Sequence, residues 1–284
     1  MTQLRQAICE ATRVLRSSHV PTPRIDAEEL AAHAAGTSRG CLALLDSVDD
    51  DFITRYAELI DARAKRIPLQ HLTGTAAFGP LSLDVGPGVF IPRPETEALF
   101  EWALAQNLPA ESVIVDLCTG SGALAAALAY HEPAARVIGV DISADALAYA
   151  QRNTAGIGAA VELRCGDVRD PLLFADLDGR VDLVVANPPY LPDSAELEPE
   201  VAQHDPPQAL FGGPDGTSFI PAISLLAGRW LKPGGLIAIE HDDAASAAAI
   251  TLVRRTGVFD ALTAHADFAG RPRFVTARRR TFTP

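Results

Sequence analysis

The sequence predicts an α/β protein: a mostly parallel sheet flanked by helices, preceded by a small helical domain and a hairpin linker. Three observations carry that expectation. From Pro109 onward, short apolar runs alternate with helical patterns across Gly-rich turns, as parallel strands joined by right-handed crossovers require. Up to about Leu72 no stretch reads as a strand, and apolar residues recur at helical spacing. Between the two, Gly and Pro punctuate an alternating stretch. A chain of 284 residues, 48% of them hydrophobic, has length and apolar content enough for one large domain or two smaller ones.

Leu4, Ile8, Ala11 and Leu15 share one face of a first helix that ends near Pro21 and Pro23. Asp26 is placed to cap a second, with Glu29 three residues on and Leu30, Ala31 and Ala34 behind it. A short helical piece follows at Leu42 to Leu45. Phe52, Tyr56, Leu59, Ile60 and Arg63 then mark a longer helix whose acidic start, Asp49-Asp50-Asp51, suits the helix dipole. Residues 1–72 therefore form the expected helical domain. Residues 73–92 form the linker, where Leu81, Leu83 and Val85 alternate between glycines. In the sheet domain, 93–284, Pro94 opens a helix running through Leu99, Phe100 and Leu104. Strands are expected at Val113 to Asp116, Arg136 to Asp141, Val161 to Cys165, Val181 to Ala186 and Leu236 to Glu240. Helices are expected at Gly122 to Ala129, Ala144 to Asn153, Phe219 to Leu231 and Ala244 to Thr256. Phe274 to Arg278 reads as a final strand, antiparallel at the edge.

A net charge of -12 and a pI near 5.0 oppose broad nucleic-acid binding, which relies on Lys and Arg to neutralise phosphates. Cys9, Cys41, Cys118 and Cys165 have neither metal-ligand nor disulfide-framework spacing, so a reducing cytoplasm and no metal are expected. No apolar run reaches the roughly 18 residues that a membrane span needs.

The chemistry gathers at strand ends. Val184-Val185-Ala186 runs into Asn187-Pro188-Pro189-Tyr190, and two prolines cannot continue a sheet ladder. Asn187 then sits at a strand's carboxyl end with its side-chain carbonyl beside backbone carbonyls that have lost their strand partners. Such acceptors suit a planar amide or amino group, which Tyr190 can cover. The bland reading is a Pro-Pro turn with Asn as turn former. Upstream, Asp116-Leu117-Cys118-Thr119-Gly120-Ser121-Gly122 joins a strand to a helix. Gly120 and Gly122 would let a ligand approach the backbone, and Asp141 is placed to accept both ribose hydroxyls. Gly120-x-Gly122-x-x-Ala125 also satisfies the loose dinucleotide fingerprint. S-adenosylmethionine is favoured over a nicotinamide cofactor because Asp116 can take an ammonium group, Asp167 an adenine amino group, and Asn187 lies on the same rim. Each acidic residue taken alone also reads as a strand-end turn former.

Together these motifs resemble the Rossmann-like methyltransferases that modify planar nitrogens. Phe90-Ile91-Pro92-Arg93-Pro94-Glu95-Thr96-Glu97, the helical first domain, and Leu236-Ile237-Ala238-Ile239-Glu240-His241 after Lys232-Pro233-Gly234-Gly235 resemble the release-factor glutamine methyltransferases, the HemK/PrmC family. The resemblance implies a seven-stranded sheet and methyl transfer from S-adenosylmethionine to the glutamine side-chain amide of the Gly-Gly-Gln motif in class 1 peptide chain release factors. It implies catalytic roles for Asn187, Pro188 and Tyr190, and substrate contacts from these with Pro189, Phe90, Arg93 and Glu97. Cofactor contacts are implied for Asp116, Cys118, Thr119, Gly120, Ser121, Gly122, Asp141, Asp167, Val168 and Asn187. Alternative readings are that Phe90 is a core residue and that Arg93 and Glu97 form a helix-start pair. The family usually has Gly where this chain has Cys118, so a tighter or thiol-sensitive pocket is one expectation. A strand-end His241 is read as structural. Arg271, Arg273 and Arg278 to Arg280 are either a solvated tail or a site for an acidic or ribonucleic surface. The rival activities are N-methylation of adenine in DNA or RNA, or of a ribosomal-protein glutamine; a reductase or a cofactor-binding module leaves Asn187 to Tyr190 without purpose. The helical domain is expected to contact the protein substrate.

Overall fold

In the computed structural model, which describes residues 3–45, 47–158 and 160–281, the chain divides at Thr75. One unit runs up to Thr75 and includes Leu197–His204. The other takes Ala76–Glu196 and continues from Asp205.

The first unit is helical. α1 (Gln3–Ser17) buries Leu4, Ile8, Ala11 and Leu15 against α2 (Pro23–Ala34) and α3 (Asp50–Ala64). Arg39–Leu44 forms a 3-10 helix. Asp49 caps α3 by accepting from Phe52 N at 2.7 Å, and Asp50 and Asp51 follow in its first turn. Asp26 does not cap α2. The helix starts earlier, with Pro23 in its first turn, where its missing N–H costs nothing. Asp26 lies inside that first turn, 3% exposed, and pairs with Arg63 of α3 at 2.7 Å. The Arg63 guanidinium also donates to Ile67 O at 3.1 Å and Glu200 at 2.8 Å, so a charge held out of water is met on several sides. α4 (Leu69–Thr73) was not expected. Five residues between Pro68 and a left-handed Gly74 are too few to display a helical period.

The second unit opens with the hairpin β1 (Thr75–Phe78) and β2 (Leu81–Asp84). A 3-10 turn at Pro94–Thr96 leads into α5 (Glu97–Leu104). Then come β3 (Val113–Leu117), α6 (Ala123–His131), β4 (Arg136–Asp141), α7 (Ala144–Ala155), β5 (Val161–Cys165) and β6 (Val181–Ala186). After α8 (Pro199–His204), which belongs to the first unit, follow α9 (Ile220–Trp230), β7 (Leu231–Glu240), α10 (Ser246–Arg255), β8 (Phe259–Ala266) and β9 (Pro272–Arg279).

The seven-stranded sheet has the order β5-β4-β3-β6-β7-β9-β8, parallel from β5 to β7 and antiparallel at β9 and β8. Both faces are covered, which is why the central strands read as continuous apolar runs. Along β6, Val184 and Ala186 face a layer with Leu226 and Trp230 of α9, while Leu183 and Val185 face one with Leu99 of α5 and Leu128 of α6. The final strand is antiparallel but not at the edge. It lies between β7 and the unforeseen β8, whose Ala-rich, largely exposed sequence lacks the β-branched signal of a buried strand. Among the described residues no helix is long and apolar enough to cross a membrane.

Candidate active site

The register sets the site. Leu117 pairs with both Val140 and Ala186, and Asp141 with Cys165, so the carboxyl ends of β3, β4, β5 and β6 share one rim. Chain order reverses between β3 and β6, and in open α/β sheets ligands enter the crevice at that switch point. Asp116 near the end of β3 and Asn187 just after β6 flank it.

Asp116 is 1% exposed. Its Oδ2 accepts from the Thr119 hydroxyl at 2.5 Å and from Ala125 N at 3.1 Å, whereas its Oδ1 is buried without a partner. Burial pushes its pKa up to about 7 against those two donors. An orphaned buried carboxylate oxygen is matched by a cationic donor such as an ammonium group. Asp141 accepts from Gly120 N at 2.8 Å and Ser143 N at 2.9 Å, one amide on each oxygen. Each oxygen thus retains a lone pair for a hydroxyl.

The two loop glycines serve different ends. An added Cβ at Gly120 would meet nothing within 4 Å, so its backbone is open to a ligand. At Gly122 it would meet Ala150 Cβ at 3.0 Å and Cα at 3.1 Å. Gly122 is therefore required for packing against α7, and φ +81 at the helix start adds to that requirement. The side chains of Thr119 and Ser121 are buried, and the Thr119 hydroxyl is taken by Asp116. Cys118 has φ +59, a left-handed conformation that favours glycine and costs a side-chain residue about 1 to 2 kcal/mol. Its side chain packs on the core layer under the sheet, and burial together with the charges of Asp141 and Asp116 pushes the thiol up. Thiol sensitivity is thus not expected at Cys118. In the native protein a disulfide reagent should label the exposed Cys9, Cys41 and Cys165 rapidly and the half-buried Cys118, whose thiol is pushed up, much more slowly, read as released chromophore per chain.

Asp167 stands on the rim after β5, but Arg169 clasps its carboxylate, with 2.8 Å from Nη2 to Oδ2 and 3.0 Å from Nε to Oδ1. That guanidinium holds the Asp167 carboxyl below the usual range. The next residue, Val168, is buried in the core layer.

Asn187 Nδ2 donates to Thr96 Oγ1 at 3.1 Å. Among the described residues no N–H or O–H donates to Asn187 Oδ1 or to the Pro188 carbonyl. Pro188 and Pro189 are buried and Tyr190 is half-buried. Burial, followed by the charge of Glu240, raises the Tyr190 phenol. Phe90 is half-buried outside the core layers and lies under the Arg93 guanidinium, 4.8 Å from ring centroid to Cζ. Arg93 pairs with Asp205 and not with Glu97, while Glu97 Oε1 takes Gly79 N at 3.1 Å and braces the hairpin turn. The helix-start pair does not form.

Two residues of this neighbourhood carried no assigned role in the sequence. Thr96 is 4% exposed, and Glu240, at the end of β7, is wholly buried. A carboxylate closing an apolar run was the available signal. Neither Glu240 oxygen has a donor in full hydrogen-bond geometry. The hydroxyls of Thr96 and Tyr190 nonetheless lie beside it and oppose the burial that pushes its pKa up to about 7. His241 is fully buried, its amide donating to Arg273 O at 2.9 Å. The arginine cluster is no solvated tail. Arg271 pairs with Glu95 at 2.8 Å, Arg278 donates to Gly234 O, Arg280 donates to Phe259 O, and Arg273 lies 3.6 Å from Asp267.

The model of the PrmC N-terminal domain matches residues 6–74, and that of the methyltransferase small domain matches residues 96–204. The chain is 60% identical to a release factor glutamine methyltransferase of Mycolicibacterium smegmatis, over 98% of this chain and 99% of that protein. It is 45% identical to one of Streptomyces coelicolor, over 98% and 99%. A solved methyltransferase from Pyrococcus furiosus superposes with a TM-score of 0.53 over 80% of this chain and 99% of its own, at 16% identity, which is a likeness of fold. With relatives this similar along almost its entire length, the chain belongs to the release factor glutamine methyltransferase family.

Proposed function

We propose that this protein methylates the side-chain amide nitrogen of the glutamine in the Gly-Gly-Gln motif of class 1 peptide chain release factors, with S-adenosylmethionine as cofactor, in the cytoplasm. The observation that carries the reading is the state of Asn187. Its NH₂ is committed to Thr96, which leaves Oδ1 and the adjacent Pro188 carbonyl as two acceptors with no donor among the described residues. An incoming primary amide has two N–H groups to match them.

When bound, the cofactor supplies an electrophilic methyl group on a sulfonium. The chain supplies position and charge. Asp116 Oδ1 would hold the ammonium group and Asp141 the ribose hydroxyls; Gly120 leaves room at the loop backbone, and Asp167 and Val168 border the adenine side. An amide nitrogen is a poor nucleophile because its lone pair is delocalised into the carbonyl. Asn187 Oδ1 and Pro188 O, each accepting one N–H, would stabilise the positive charge that develops on nitrogen as its lone pair attacks the methyl group and would fix its direction of attack, while Tyr190 covers the amide plane. The N–H proton that becomes acidic on methylation can leave through either acceptor to water. Phe90 and Arg93 border the substrate side, with Pro189 holding the turn. Residues 1–72 are proposed to add binding surface for the protein substrate.

Relatives at 45 to 60% identity named for release-factor glutamine support this substrate over adenine or a ribosomal-protein glutamine. The test is mass spectrometry of a release factor incubated with enzyme and labelled S-adenosylmethionine. One added methyl on the Gly-Gly-Gln peptide is expected; label in an adenine-containing nucleic acid instead would overturn the assignment.

The ionisation of Asp116 makes a second outcome measurable. With a pKa raised to about 7, the carboxyl carries a proton below neutrality and must shed it before pairing with an ammonium group. Because the raised value belongs to the folded state, its stabilising contribution without cofactor is full below about pH 4 and is lost as pH climbs through 7. Cofactor binding is expected to weaken roughly tenfold per pH unit below 7 and to release close to one proton there. Calorimetry of S-adenosylhomocysteine binding in two buffers checks this, and Asp116→Asn should abolish the dependence.

A further inference from the structure

We propose that Glu240 is a positioning residue for methyl transfer: through Thr96 it sets which end of the Asn187 amide faces the substrate, and it anchors the Tyr190 hydroxyl. The inference rests on the reading of Asn187 given above.

The two ends of an Asn amide have nearly the same shape and opposite hydrogen-bonding character. Only with Oδ1 toward the substrate can Asn187 accept an N–H; turned over, it would present a donor to a donor. Thr96 makes the selection, since its Oγ1 accepts from Asn187 Nδ2 at 3.1 Å. A hydroxyl is itself ambivalent. Were its hydrogen aimed at Asn187, Thr96 would hold the amide the wrong way round. Some other group must therefore take the Thr96 hydrogen, and that group must be unable to donate.

Glu240 meets the requirement. Ala186 of β6 pairs with Ile239 of β7, so Asn187 and Glu240 are the next residues on adjacent parallel strands. Glu240 is wholly buried, and the hydroxyls of Thr96 and Tyr190 both lie against its carboxylate. An ionised carboxylate only accepts. It turns the Thr96 hydrogen toward itself, the Thr96 lone pair then faces Asn187 Nδ2, and Oδ1 is left for the substrate. The Tyr190 hydroxyl lies against the same carboxylate, so one buried charge sits beside both ends of the Asn187-to-Tyr190 turn. The remaining charged groups around it are Arg273 of β9, which favours its ionised form, and Glu95 of the 3-10 turn, which opposes it; His241 follows it in the chain. Service as a counter-charge to Arg273 alone does not account for this arrangement, because Arg273 has Asp267 3.6 Å away.

Glu240→Gln conserves size and supplies an NH₂ that can donate to Thr96, releasing the constraint on the Asn187 flip. At saturating cofactor, kcat is expected to fall 10- to 100-fold, with KM for the release factor, S-adenosylhomocysteine affinity and Tm close to wild type. The wild-type kcat should decline as pH drops below 7 and Glu240 takes up a proton, while the variant's should stay low and flat from pH 6 to 8. Thr96→Ser should keep most activity, whereas Thr96→Val should behave as Glu240→Gln. Activity of Glu240→Gln or Thr96→Val within twofold of wild type, alongside an inactive Asn187→Ala, overturns this inference and leaves the site reading standing. So does a loss of Tm or cofactor affinity large enough to explain the lost turnover. An active Asn187→Ala overturns the site reading and this inference with it.

Discussion

Asn187→Ala is expected to lower kcat by a thousandfold or more while leaving S-adenosylhomocysteine affinity within about twofold. The substitution deletes one of the two acceptors proposed to meet the substrate amide, at the moment when charge on the nitrogen makes the bond strongest. An interaction of that kind counts in the transition state far more than in the ground state, so kcat should fall and KM change little. A thousandfold corresponds to about 4 kcal/mol, the size of loss seen when a preorganised donor or acceptor is removed from a dry site. The groups proposed to hold the cofactor lie elsewhere on the rim, Asp116 on β3 and Asp141 on β4, and among the described residues neither is hydrogen-bonded to Asn187. Steady-state kinetics with a release factor, paired with a cofactor titration, separates the two effects. Activity within about tenfold of wild type, roughly 1.4 kcal/mol in barrier, would remove Asn187 from the chemistry.

Gly216→Ala is expected to reduce kcat by about a hundredfold although Gly216 supplies no side chain to the reaction. The loop from Leu210 to Gly216 is zipped to the chain leaving Tyr190. Leu191 N donates to Leu210 O at 2.9 Å, Gly212 N to Leu191 O at 2.8 Å, and Asp193 N to Gly213 O at 3.0 Å. Gly216 has φ +75, and a Cβ there would stand 2.1 Å from the Tyr190 carbonyl oxygen and 3.0 Å from its carbon. The clash is with backbone, which cannot swing aside as a flexible side chain can. Tyr190 must shift by something near 1 Å, and a displacement of that size in a reacting geometry costs on the order of a hundredfold. Left-handed strain adds about 1 to 2 kcal/mol against stability. The expected signature is a lower kcat and a modestly lower Tm with cofactor affinity intact. A variant within threefold of wild-type turnover would show that the turn does not depend on this loop for its position.

How much of this was legible beforehand depends on how far apart the interacting residues lie in the chain. β4, β5 and β6 were read with the bounds they have: β4 and β6 are largely buried apolar runs, while the edge strand β5 alternates Val161, Leu163 and Cys165 with the charged Glu162 and Arg164. Asp116, Asp141, Asp167 and Asn187 stand out as candidates because each lies at or just beyond the carboxyl end of a strand. β8 escaped because its exposed, Ala-rich residues carry neither pattern. Asp26 was misread as a cap because its partner Arg63 is 37 positions away, and local spacing offered only a capping box.

The residues of this chain by themselves determined the α/β order, the rim on which the strand ends meet, and the candidate groups displayed there, because burial and strand termination are local properties. Only the tertiary structure decided which way those groups face. Thr96 and Asn187 stand 91 positions apart, Gly122 owes its place to Ala150 on another helix, and Glu240 is set beside Asn187 by the pairing of β6 with β7. Hydrogen-bond direction and close packing are properties of pairs, and no single stretch of sequence contains both members.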